Sequence, residues 1–122
     1  MTERNVLGGP LEPCGTDPVT GFYRDGSCSC GPDDRGLHAV CAVMTPEFLA
    51  QQQRIGNDLV TPRPELRFRG LASGNRWCLH VLRWIEAWEA GRAPRVILEA
   101  THENVLKYVP LSALKRYALD LN

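Results

Sequence analysis

The sequence predicts an α+β fold: a small single domain with about three short core strands and three helices, fronted by an irregular lobe rich in Gly, Pro and Cys. Three observations lead there. The chain has 122 residues, enough for one core but too few for two that fold independently. It is 43% hydrophobic and 23% charged, the balance of an ordinary globular protein rather than a disordered one. Finally, seven of its eleven glycines and four of its nine prolines precede Leu37, after which short apolar runs alternate with stretches of helical spacing. Residues 1–36 are read as the lobe and 37–122 as the core of one domain spanning 1–122.

The lobe comes first. Gly8, Gly9, Pro10, Pro13, Gly15, Pro18, Gly21, Gly26, Gly31, Pro32 and Gly36 allow turns but no sustained helix. A structureless stretch this long needs packing or a bound ion to hold it. The first strand is expected at Leu37–Met44, an apolar run with branched residues. Thr45 is an N-cap with Pro46 at the first helical position and Phe48 in the first turns; that helix runs to Ile55 and ends at Gly56.

Residues 57–74 form a second irregular stretch, with Pro62 and Pro64 favouring extended backbone around Arg63. Arg76–Leu82 is the second expected strand, which would put Cys78 and His80 on one face and Trp77, Leu79 and Val81 on the other. A helix follows over Trp84–Ala90, closed by Gly91. Pro94 precedes a third strand over Arg95–Ala100. Thr101 then caps a turn carrying His102 and Glu103, and Pro110 opens a C-terminal helix with Leu111, Leu114, Tyr117 and Leu121 on one side.

Fourteen basic and fourteen acidic residues cancel, so nothing in the overall charge draws the chain to nucleic acid or to an anionic membrane. Gly8, Gly9 and Pro10 interrupt the apolar run that a secretory signal needs, and no stretch approaches the ~20 apolar residues of a membrane span. The expected location is the cytoplasm. In that reducing compartment the five cysteines, Cys14, Cys28, Cys30, Cys41 and Cys78, read as free thiols, metal ligands or redox groups rather than as a disulfide framework.

Two chemistries compete for these cysteines. Zinc takes four thiolate or imidazole ligands, which short paired segments supply well. Cys28-Ser29-Cys30 and His38-Ala39-Val40-Cys41, with Cys14 upstream, offer such pairs, and a zinc-like metal is the expected cofactor. The alternative is a reactive cysteine, in a cysteine-dependent enzyme or a thiol redox protein. Cys28 and Cys30 lie near Arg24 and Arg35, Cys78 is near His80, and His102 with Glu103 offers an acid/base pair. Cys78, His80, His102 and Glu103 are thus the catalytic candidates.

A third reading is a protein-interaction module, with Trp84, Trp88 and the loop bearing Arg63, Arg67 and Arg69 as its docking surface. Those three arginines also form a small basic patch able to hold a phosphate or carboxylate. Asp25, Asp33 and Asp34 lack the spacing of a calcium loop and read as a solvated turn.

Four segments resemble a known family: Asn5–Cys14 (NVLGGPLEPC), Gly56–Leu59 with Thr61–Glu65 (GNDL, TPRPE), Arg76–Leu79 (RWCL) and Leu98–Glu103 (LEATHE). Together they resemble the uncharacterised bacterial and plastid family called domain of unknown function twenty-two thirty-seven, over nearly the whole chain from Asn5 to about Ala118. The resemblance implies one small domain and brings no catalytic residue with it. The family pattern has adjacent cysteines where this chain has Ser27-Cys28, and a hydroxyl residue at the position of Cys30. The metal set favoured here is therefore Cys14, Cys28, His38 and Cys41, with Cys30 as a further candidate.

Overall fold

The computed structural model describes residues 3–34 and 37–120. Three antiparallel strands form its sheet: β1 (His38–Val43), β2 (Arg76–His80) and β3 (Arg95–Val96), in the order β2-β1-β3. The helices are α1 (Pro46–Arg54), α2 (Val81–Glu89) and α3 (Leu111–Arg116). The expected α+β class, with three strands and three helices, is what the chain adopts.

β1 lies mid-sheet because both of its edges are paired. Its four inner residues, Ala39–Ala42, are fully buried, as expected of an apolar strand covered on both sides. It meets β2 with Cys41 opposite Cys78 and Val40 opposite Leu79. An irregularity between His38 and Val40 then restores His38 to a position opposite His80. Such a bulge re-aims a side chain at the end of a strand.

α1 begins as its sequence requires. The Thr45 hydroxyl accepts the Phe48 N–H at 3.1 Å with Pro46 in the first turn. The helix buries Phe48, Leu49 and Gln52.

Three boundaries differ from expectation, the first being the C-terminal helix, which ends at Arg116 with Tyr117 as its C-cap rather than carrying it. The second strand stops at His80 rather than Leu82, because the His80 Nδ1 accepts the Leu82 N–H at 3.1 Å and starts α2 at Val81. α2 therefore begins three residues before Trp84. The third strand is two residues long instead of six. The Asp120 carboxylate accepts the Leu98 and Glu99 N–H groups, and the chain turns there into a 3₁₀ segment, Leu98–Ala100. His102 rather than Thr101 caps the next 3₁₀ segment, Glu103–Lys107, by accepting the Asn104 N–H. In the C-terminal helix Leu114 is buried as expected, while Leu121 lies outside the described residues.

The main core gathers Val40, Met44, Phe48, Leu79, Trp84, Leu98, Val105 and Leu114 between sheet and helices. A separate buried cluster, Cys14, Cys28, Cys41, Cys78 and Ala100, joins the N-terminal lobe to β1 and β2.

Candidate metal centre

The lobe delivers two cysteines to the strands. Cys14 is held by its N–H to the Gly26 carbonyl at 2.7 Å. Gly21, at φ +101°, lets the chain double back, since a Cβ there would run into the Ser27 carbonyl. Cys14 and Cys28 thereby reach the paired strand residues Cys41 and Cys78.

Buried hydroxyls from either side fix the two strand positions. The Cys78 N–H donates to the Thr20 Oγ1 at 2.7 Å, and the Cys41 N–H to the Thr101 Oγ1 at 3.1 Å. Thr101 in turn donates to the Ile97 carbonyl at 2.8 Å. Both threonines are fully buried.

The four sulfurs are joined as Cys14–Cys41 and Cys28–Cys78. All four residues are at most 2% exposed. The sulfurs of Cys14, Cys28 and Cys78 lie within 4.8 Å of one another, so the two bridges are neighbours. This buried cysteine group can hold a metal ion.

The site corrects the sequence reading at three points. Four cysteines are paired as disulfides where free thiols, metal ligands or redox groups were expected. Cys78, taken for a catalytic candidate, is the fourth member of the cluster in place of His38. Cys30 stands apart: it is free and half-buried against the main core. Burial, with the charges of Glu3 and Asp34 beside it, pushes its thiol up to about 12. It is therefore protonated at neutral pH, which does not suit it to attack.

The histidines have other partners. His38 Nδ1 lies 2.6 Å from Oδ1 of Asp34, whose side chain is fully buried and whose Oδ2 accepts the His38 N–H at 2.8 Å. The ring of His38 meets that of His80 edge-on at 5.2 Å. Burial, then the neighbouring His38 and Arg83 charges, hold His80 below its ordinary value, in keeping with a neutral ring whose Nδ1 accepts a hydrogen bond. Cys78 and His80 do not act as a pair, since the sulfur is bonded to Cys28 while the imidazole faces His38.

His102 pairs with Glu3 at 2.8 Å, tying down the N-terminal segment. Glu103 is exposed, and its N–H donates to the Arg4 carbonyl. Trp84, expected on a docking face, is fully buried with its indole N–H on the Pro94 carbonyl, and Trp88 stacks on it at 5.8 Å. Arg63, Arg67 and Arg69 do share one exposed loop. The signal that sequence spacing missed was Cys78, which lies 50 residues from its partner and becomes a neighbour of Cys41 only through strand pairing.

Fold and site together define a small α+β domain built around a buried four-cysteine cluster. A family model matches residues 4–118, and the chain belongs to that family, described as uncharacterized protein conserved in bacteria (DUF2237). No curated protein matches it. No helix among the described residues is long and apolar enough to cross a membrane.

Proposed function

We propose that the chain is a small cytoplasmic zinc-binding domain, with the thiolates of Cys14, Cys28, Cys41 and Cys78 as ligands and the paired disulfides as the oxidised form of the same centre. The gathering of three buried sulfurs from the two bridges carries this reading. A metal needs its ligands gathered at one point, and here the sulfurs of Cys14, Cys28 and Cys78 lie within 4.8 Å of one another, with that of Cys41 bonded to Cys14. Burial adds support. Four thiolates this deep cannot stay charged unaided, so they must protonate, oxidise or bind a cation.

The two forms interconvert with a defined balance. Two molecules of peroxide and four protons convert the zinc tetrathiolate into two disulfides, free zinc and four waters. Four electrons leave sulfur, two for each disulfide formed. The thiol redox reading thus applies to the same four residues.

Elemental analysis of untagged protein, purified under reducing conditions with zinc supplied, tests the assignment. One zinc per chain is expected in the native sequence and in His38→Ala, and loss of zinc is expected in Cys78→Ser. A zinc-free native chain would overturn the proposal, as would zinc lost from His38→Ala but kept by Cys78→Ser.

A further inference from the structure

Apart from the cysteines, a cavity of 590 Å³ opens where the lobe meets the 63–69 loop. Trp77 and Phe68 form its aromatic wall, packed edge to face at 5.4 Å. Three arginines line it, Arg24, Arg67 and Arg69, against a single carboxylate, Asp17, which pairs with Arg69 at 2.8 Å. Two guanidinium groups are left without a carboxylate partner among the lining residues. That of Arg24 lies over the Trp77 ring, 4.9 Å from its centre, and spends one N–H on the Gly21 carbonyl.

The backbone around this cavity is unusual. Three described residues other than glycine have positive φ, and two of them are Arg24 at 55° and Arg67 at 54°. Side chains with a Cβ rarely occupy this left-handed region, and strain of this kind gathers at binding sites. Gly70, at φ +85°, lets the loop pass the Val60 carbonyl, which a Cβ there would strike. The loop is closed on itself by reciprocal backbone hydrogen bonds between Arg63 and Phe68.

We propose that this cavity binds a small aromatic anion, its ring against Trp77 and Phe68 and its charged group held by Arg24 and Arg67. A guanidinium fork matches a carboxylate or phosphate in shape and charge, and a flat apolar body suits the indole wall. The volume suits a ligand of one or two rings.

Titrations followed through the Trp77 indole N–H resonance of the isotopically labelled chain test this. The probes are 2-naphthoate and 4-nitrophenyl phosphate, with inorganic phosphate and neutral 2-naphthalenemethanol as their separate halves. Substitution by glycine suits both arginines, because it removes the guanidinium at a φ that glycine adopts freely. A saturable shift is expected with at least one aryl anion; which of the two binds tells carboxylate from phosphate. Binding should weaken tenfold or more in Arg24→Gly and in Arg67→Gly, and each half should bind at least tenfold more weakly than the whole. The proposal fails if neither aryl anion saturates below about 10 mM, where binding is worth under about 3 kcal/mol. It also fails if both glycine variants bind undiminished, or if the neutral alcohol or phosphate alone binds as tightly.

Discussion

Two residues of the lobe carry chemistry that the cluster does not use. Cys30, with its thiol pushed up to about 12, holds only about one part in 10⁵ as thiolate at neutral pH. A thiolate of higher pKa is intrinsically more nucleophilic, which returns part of that deficit. Alkylation of Cys30 in the folded chain should still run about a hundredfold slower than that of free cysteine and recover in denaturant. Fast labelling of the native protein would contradict its surroundings as described. Glu3 is the second residue. Burial raises its pKa, but the Cys30 N–H, the Ser29 hydroxyl and His102 outweigh that and hold it below the ordinary 4.5. A depressed carboxylate adds stability that is present above its unfolded value and lost as pH falls through its folded one. Hydrogen-exchange protection at Leu11, whose N–H donates to the Glu3 carbonyl, should therefore fall on acidification below the ordinary carboxylate range. Glu3→Gln should flatten that dependence, and an unchanged acid profile would count against the contact.

Among the elements, the strands that hold the cysteines rest on side-chain acceptors as much as on each other. Thr20→Val keeps the shape but leaves the buried Cys78 N–H without its partner, at a cost of about 1–3 kcal/mol. Thr101→Val leaves the buried Cys41 N–H without its partner, while the Ile97 carbonyl keeps the Ala100 N–H, and should cost about as much as Thr20→Val. Urea denaturation of both variants measures this; losses below about 0.5 kcal/mol would show that water replaces the hydroxyls. These elements were legible to different degrees. Thr45-Pro46 announces α1 because a cap and a fixed φ are local signals. The end of β2 was hidden, since His80 reads as a strand residue until its ring is seen to accept the Leu82 N–H. β3 was overread because Asp120, far along the chain, supplies the acceptors that turn Leu98 and Glu99 out of the strand.

For the molecule as a whole, the cluster joins the lobe to the sheet, beside the backbone bonds from Val6 to Thr101 and Glu12 to Glu99. A Gly- and Pro-rich stretch has a large conformational entropy to lose on folding, and its apolar side chains return little of it. Closing loops across separations of 27 and 50 residues removes about 3.5–4 kcal/mol of denatured-state entropy each in the chain-entropy account. In the proposed zinc form a metal would constrain the same loops. The need for such a tether was visible in the sequence, because so long an irregular segment with three cysteines cannot hold itself. The place of Cys78 in the cluster was not. His38 is three residues from Cys41 and so looked like its natural companion, but the buried Asp34 carboxylate holds it by both ring and backbone. Cys78 joins the cluster through the register of β1 with β2, which no local spacing encodes.

The most direct test of the zinc assignment is the intact mass of the native chain, purified under reducing conditions with zinc present and then titrated with peroxide. The account predicts a starting mass raised by about 63 Da, for one zinc replacing two protons. That should give way to a mass about 4 Da below the reduced chain as two disulfides form and zinc is released. A reduced chain that stays folded without zinc, or one that keeps its zinc after both disulfides have formed, would contradict it.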